Sequence, residues 1–199
     1  MMKKIFLMAA VAMMAATSVN AQSDEFKQEI AVTYGLWSNS DIIDAFETIG
    51  TAMMGVQTDN DSFFGPISVE YFYHVNPWLG VGGIAAYGQM KQDYYFGSKK
   101  DGKDGEIKNN YITLMPAVKF DWLRKSHFGM YSKIALGATL RTEKMDDTSD
   151  GNDESDSEMH VNWQVSFLGM DFGGEQMRGF LELGTGEQGI FVAGIRYKF

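Results

Sequence analysis

Three histidines, His74, His127 and His160, are the residues of this chain best suited to hold a metal or act as a general base. A protein zinc site needs three or four such ligands converging on one point. In the strand order derived below, His74 and His127 fall at one end of the strands and His160 falls at the other. We therefore predict no metal site and treat them as interfacial or turn histidines.

Ser157 and His160 are the one candidate nucleophile and base at the same end of the predicted strands. A nucleophile needs its base within hydrogen-bond reach. Side chains on one face of a strand are two residues apart, so a spacing of three is wrong for a fixed pair. We predict no catalytic residues, and an enzyme acting on membrane lipid is kept as an alternative.

The segment from Thr142 to Met159 is strongly acidic, with eight Asp or Glu residues against Lys144. The first half of a calcium loop is matched by Asp146, Thr148, Asp150 and Gly151. The twelfth position, however, is Ser157 where a bidentate Glu belongs. We predict a solvated, disordered loop that binds no metal or other cofactor.

The first residues form a secretory signal: Lys3 and Lys4, an apolar run from Ile5 to Ala16, and Val19-Asn20-Ala21 before the expected cut. The predicted domains are thus a cleaved signal peptide, 1–21, and one domain, 22–199. The chain has no cysteine, so no disulfide stabilises it. Without its two signal lysines it keeps 15 of 17 basic residues against 26 acidic ones, a net charge of −11. Such a balance argues against nucleic-acid binding.

Alternation of apolar and polar residues with a period of two predicts β-strands. It is clearest at the end of the chain, where five apolar or aromatic residues alternate with Val, Gly, Arg and Lys. We predict eight strands, near 29–37, 66–75, 78–90, 110–122, 128–141, 160–169, 177–184 and 189–199.

The connections between these strands are of two kinds. Short turns follow strands 2, 4 and 6, whereas long polar segments follow strands 1, 3 and 5, at 38–65, 91–109 and 142–159. Outer-membrane barrels have short periplasmic turns and long outer loops. The pattern predicts an all-β, eight-stranded antiparallel up-and-down transmembrane barrel with both termini in the periplasm.

A short helix is expected inside the first outer loop, at 40–54. Ile42, Ile43, Phe46, Ile49 and Met53 follow one another at steps of one to four residues, the spacing of an amphipathic helix. Such a helix could cover the barrel mouth, lie in the headgroup layer or bind a partner.

A soluble barrel with an apolar interior is the alternative, because it would show the same alternation. The polar faces of the strands distinguish the two. Together they place nine charged residues of nearly balanced sign in the lumen: Glu29, Glu70, Lys119, Asp121, Lys133, Arg141, Glu182, Arg196 and Lys198. Charges can be buried there only if they pair. With Phe72, Tyr111 and Tyr131 they should form a plug; Gly80, Gly82 and Gly88 on the same face favour a narrow water path instead.

The closing hairpin, from Arg178 to Phe199, resembles that of the small outer-membrane β-barrel proteins of Bacteroidetes, which share the OmpA/OmpX type of architecture. In that family a terminal Phe preceded by alternate apolar residues is the signal for the barrel-assembly machinery. The resemblance implies that role for Phe199, Tyr197 and Ile195.

The predicted function is a non-enzymatic barrel with a closed lumen, embedded in outer-membrane lipid as a monomer. Its role would be structural, or it would bind an unknown surface ligand through its outer loops. A narrow solute pore and a lipid-modifying enzyme are the alternatives. No nucleic acid, cofactor or metal is expected.

Overall fold

The computed structural model describes residues 26–38, 57–95, 105–147 and 153–199, and these residues form eight strands. The expected helix at 40–54 and the expected signal at 1–21 lie outside the described residues. The strands are β1 (Gln28–Leu36), β2 (Gln57–Asn76), β3 (Leu79–Tyr95), β4 (Gly105–Arg124), β5 (Phe128–Asp147), β6 (Asp153–Gly173), β7 (Met177–Gly186) and β8 (Phe191–Lys198).

Each strand pairs antiparallel with the next, and β1 pairs with β8 to close the barrel. The closing register places Ile30 opposite Tyr197, with Gln28 and Phe199 exchanging two backbone hydrogen bonds of 2.9 and 2.8 Å. A closed sheet leaves no unpaired edge along this height. The predicted fold class is confirmed. Among the described residues, no helix is long and apolar enough to cross a membrane.

The strands differ in length, and the sequence-based boundaries were too short on one side of the barrel. β2, β4, β5 and β6 have 20 or 21 residues, whereas β7 and β8 have 10 and 8. The acidic segment 142–159 was expected as a loop, but β5 continues to Asp147 and β6 begins at Asp153, with Arg141 opposite Glu158. A strand pair that extends into water can form its backbone hydrogen bonds without an apolar face. The polar composition of 142–159 therefore led the sequence analysis to predict a loop there.

The outward faces carry the apolar residues, as the alternation predicted. Leu114, Leu136 and Phe167 are each at least 60% exposed, whereas the inward Lys119, Lys133 and Arg196 are completely buried. Two aromatic side chains pack together where β1 ends and β8 begins: Trp37 lies edge-on against Phe191, with ring centroids 5.8 Å apart. The provisional outward phase of strand 3 is also correct, because Val81, Ala85 and Tyr87 are exposed.

One β-bulge in β6 changes which residues face the lumen. Opposite β5, Lys133 pairs with Ser166 but Tyr131 pairs with Gly169, so β6 carries one extra residue between them. The bulge turns Asp171, expected in a turn, toward the interior. It also places Gly169 beneath the Tyr131 ring, which a Cβ at 169 would approach to 2.4 Å. Only glycine leaves room for that ring.

Candidate functional site

The centre of the lumen is organised around the ammonium group of Lys133. Its Nζ lies 2.5 Å from Glu70 Oε1 and 2.9 Å from Glu182 Oε2, and all three side chains are buried. Tyr131 and Ser166 each donate a 2.6 Å hydrogen bond to Glu182. Strands β2, β5 and β7 are thereby joined across the barrel, so the pairing that the sequence required of buried charges is present here.

A second group of charges lies toward the end that holds both termini. Asp171 accepts hydrogen bonds from Arg178 at 2.6 Å, Lys198 at 3.2 Å and Arg196 at 3.3 Å. Arg178 also donates to the backbone carbonyls of Lys125 and Ser126, each at 2.7 Å. The Asp171 carboxylate on β6 therefore binds side chains of β7 and β8 directly. Through Arg178 it is also connected to the β4–β5 turn.

Beside it runs a chain of pairs between β1, β2 and β4. Lys119 lies 2.6 Å from Glu29 and 3.3 Å from Asp121, and Asp121 is 2.8 Å from His74 Nε2. His74 is 5% exposed, so it faces the lumen rather than the interface or turn that the sequence analysis assigned to it. The alternation could have shown this, since His74 is in phase with Phe72.

Aromatic rings fill the space between the two groups. Lys119 Nζ and the Arg196 guanidinium carbon lie 4.3 and 4.6 Å from the centre of the Tyr131 ring. Arg196 is also 4.4 Å from the centre of the Phe180 ring. Desolvated cation–π contacts of this kind contribute about 2 kcal/mol each, so rings and charges pack as one core.

The β7–β8 turn folds into the outer end of the lumen. Glu187 accepts hydrogen bonds from Asn162 at 2.7 Å and Thr113 at 3.1 Å, and Gln188 donates one of 2.7 Å to Glu70. Both turn residues are at most 2% exposed. The inward course of the turn depends on Gly186 and Gly189, whose φ angles of 131° and 111° suit glycine.

Eight of the nine predicted lumen charges are buried and paired as expected. Arg141 is the exception, since its side chain is 14% exposed at the outer rim, 3.2 Å from Glu143. Among the described residues, the sequence analysis missed four ionisable residues of the lumen, namely His74, Asp171, Arg178 and Glu187. Arg178 is in phase with Glu182 on β7, so the alternation could have found it as it could His74. The bulge places Asp171 and the inward turn places Glu187, and no periodic signal reports either.

The candidate chemical pairs do not assemble. Ser157 is exposed and lies opposite Thr142, whereas His160 is in phase with the buried Asn162, so the two point to opposite faces of β6. Of the half calcium loop, Asp146 belongs to β5 and pairs with Asp153, and Thr148, Asp150 and Gly151 lie outside the described residues. In the part of the chain that the structure describes, no three His, Asp or Glu residues could share a metal ion.

Beyond the apolar band, β2 to β6 continue as a sheet that β7, β8 and β1 do not reach. Within the described ranges, the part of β6 that precedes Gln164 does not pair with β7. The part of β2 that precedes Ile67 likewise does not pair with β1. We call the outer ends of β5 and β6, 141–147 and 153–159, the acidic hairpin. It holds seven Asp or Glu residues against one Arg and one Lys.

Comparison with known proteins agrees with this architecture. A family model described as outer membrane protein beta-barrel domain matches residues 8–199. Among solved structures, Ail of Yersinia pestis, in complex with the heparin analogue sucrose octasulfate, is 15% identical with a TM-score of 0.52, covering 88% of this chain and 99% of its own. The N-terminal β-barrel domain of Pseudomonas aeruginosa OprF is 9% identical with a TM-score of 0.47, covering 88% and 100%. No curated protein matches the chain significantly.

Proposed function

Because the chain belongs to the outer membrane protein β-barrel domain family, we propose that it is a closed, non-enzymatic barrel that binds a cationic partner at the cell surface through its acidic hairpin. The observation that carries the proposal is a strand-paired surface of net negative charge beyond the apolar band. In this arrangement both termini lie in the periplasm. A monomer is part of the proposal, supported by a sheet that closes within one chain and needs no second copy to complete it.

Several features of the acidic hairpin support a binding role. Asp156, Ser157, Glu158 and Met159 are all exposed, so carboxylates and an apolar side chain are presented together. The part of β6 that precedes Gln164 also has no described strand partner on the side that faces β7. An exposed edge can accept an extended peptide by main-chain hydrogen bonds, and charge complementarity then selects a basic one.

The sign of this surface distinguishes the protein from a binder of polyanions. Ail is complexed with a sulfated sugar analogue, but its likeness to this chain extends to the fold alone. Seven carboxylates against two basic residues would repel such a ligand, with most of the repulsion lost above a Debye length of about 10 Å at 0.1 M salt. We therefore expect lysine-rich peptides to bind and heparin not to bind.

Binding of an oligolysine peptide to the barrel in lipid nanodiscs tests the proposal. Neutralising three acids of the hairpin, E154Q, D156N and E158Q together, should weaken binding at least tenfold, about 1.4 kcal/mol. E175Q in the exposed β6–β7 turn is the control for the opposite end and should change nothing. Equal affinities of the triple variant and the original chain, or tighter binding of heparin than of oligolysine, would refute the proposal.

The non-enzymatic part of the proposal is supported by the separation of Ser157 and His160 on the two faces of β6. A nucleophile cannot be activated by a base on the other side of a sheet. Mass spectrometry of labelled lipid A from cells with and without the protein should show identical species. A new or missing acyl or phosphate group would favour the enzyme instead.

A further inference from the structure

The outward faces of β3 and β4 change from apolar to cationic over three successive pairs of directly opposite residues. In order toward the outer end of the strands, the pairs are Tyr87 with Ile112, Gln89 with Asn110, and Lys91 with Lys108. The β3–β4 register has no shift, so all three pairs lie on the same face. Tyr87 and Ile112 are 39% and 52% exposed and belong to the apolar band. At about 3.4 Å per residue, the lysines lie roughly 14 Å further along the strands.

Lys91 and Lys108 stand side by side on neighbouring strands, and we call them the lysine pair. On its other side Lys108 lies opposite Lys144 of β5, which extends the cationic row. Directly opposite residues on one face of a sheet have Cβ atoms about 5 Å apart, and like charges in this arrangement are destabilising. An anion that contacts both ammonium groups would remove this repulsion. The register therefore favours an anionic ligand at the lysine pair.

Between the apolar band and the lysine pair, the side chains of three residues form a hydrogen-bonded network. Asn110 Oδ1 accepts from the Tyr87 hydroxyl at 3.0 Å and from Gln89 Nε2 at 2.8 Å. Gln89 Nε2 also lies 3.4 Å from the Tyr87 hydroxyl oxygen. An amide side chain carries donors as well as an acceptor, so the network presents two fixed amide groups directly below the lysines.

The residues on either side of the lysine pair decide from which direction an anion can approach. The next pair on this face toward the outer end is Asp93 with Glu106, and the acidic hairpin adjoins β4. An anion dissolved in the outer solution would therefore approach through a region of net negative charge and be repelled. On the membrane side, the neighbouring pairs are uncharged. Long lysine side chains can bend toward that side while their stems cover apolar surface.

We propose that the lysine pair binds the phosphate group of a lipid in the outer leaflet of the membrane. A lysine ammonium contacts phosphate as a point charge, and the two lysines together hold it from neighbouring strands. The amides of Gln89 and Asn110 bond the polar part of the lipid next to its phosphate, and the acyl chains lie along the apolar band. The ligand is opposite in sign to the one proposed for the acidic hairpin, so the two proposals stand independently.

Equilibrium binding of radiolabelled, doubly phosphorylated lipid A to the immobilised barrel in detergent micelles tests the inference. We expect K91Q and K108Q together to weaken binding about three- to tenfold, because each contact between exposed charges is individually weak. K91R and K108R together keep both charges and should bind as the original chain does. Lipid A without phosphate groups should not distinguish the original chain from the glutamine variant. Heat-modifiable gel mobility checks that each variant is folded.

A second double variant separates a specific site from general attraction to positive charge. K27Q and K125Q together remove the same charge from exposed positions at the end that holds the termini, and they should leave the affinity unchanged. An equal loss in the two double variants would overturn the inference, as would unchanged binding in K91Q/K108Q. Excess inorganic phosphate should not displace the lipid. Displacement would assign the lysines to a free anion and contradict a lipid site.

Discussion

At the scale of single residues, the lumen is held by carboxylates that each bind several partners. Glu182 accepts from Lys133, Tyr131 and Ser166, and Asp171 accepts from three cationic side chains. Breaking one partner of a buried pair leaves an uncompensated charge, which is costlier than losing the attraction itself. The stability of the lumen core therefore depends on every buried charge having a partner, rather than on the number of ion pairs.

Replacement of Lys133 by Met should be the most damaging single change in the lumen. K133M leaves Glu70 and Glu182 without their shared cation, and we expect the free energy of unfolding to fall by about 3–5 kcal/mol. Equilibrium urea unfolding of the barrel in lipid vesicles measures it. K144M, the same substitution at an exposed position of the same strand, is the control and should stay within about 0.5 kcal/mol. Equal losses in both variants would show that Lys133 is not central.

At the scale of elements, the strands have two distinct roles. β7 and β8, with 10 and 8 residues, span little more than the apolar band, whereas β2 to β6 extend beyond it. The short hairpin allows its turn to enter the lumen instead of projecting outward. One side of the barrel therefore forms the plug, and the other forms the outer surface proposed to bind a partner.

Closure of the barrel between β1 and β8 should depend on Phe199. Phe199 exchanges two backbone hydrogen bonds with Gln28 and stacks on Tyr197, with ring centroids 5.9 Å apart. By the family resemblance, the assembly machinery reads Phe199, Tyr197 and Ile195, and this remains a prediction. Deleting Phe199 should lower the heat-modifiable, assembled barrel in outer-membrane fractions several-fold, measured by immunoblot.

Two further variants separate recognition of the ring from loss of the backbone bonds. F199A keeps the backbone pairing with Gln28 and removes only the aromatic ring, and we expect a loss close to that of the deletion. E158Q in the acidic hairpin should assemble normally. Normal assembly of F199A would assign the effect to the backbone, and equal levels of all three variants would contradict a role for Phe199.

At the scale of the whole molecule, the lumen contents bear on transport. An eight-stranded barrel has an interior that side chains can just fill, whereas water-filled porins have about 16–18 strands. Here buried side chains occupy the described lumen from one end to the other. The ion pairs begin with Lys198 at the end that holds the termini, and the inward turn places Glu187 at the outer end.

We therefore expect no stable unitary openings of the refolded protein in planar bilayers. Gly82 cannot be used to test a pore, because a Cβ there would lie 1.8 Å from the Tyr71 carbonyl. Gly88 can, since its added Cβ would meet only Tyr111, at 4.0 Å. Stable openings that G88L abolishes would show a conducting path and refute the closed lumen.

The sequence by itself determined the strand number, the closed antiparallel fold and the face on which most side chains lie. These follow from local alternation, because neighbouring side chains of a strand must point to opposite sides. Eight of the nine charges expected in the lumen are buried there for this reason, Lys119, Lys133 and Arg196 among them. Even the phase of β3 could be obtained in this way.

Only the tertiary structure decided how those charges pair and where the strands end. The partners of Lys133 come from β2 and β7, 63 and 49 residues away along the chain, and local periodicity carries no information on contacts across a lumen. The bulge that turns Asp171 inward and the glycine conformations that send Glu187 into the mouth interrupt the alternation itself. The acidic hairpin escaped prediction because backbone hydrogen bonds extend a strand pair whatever side chains it carries.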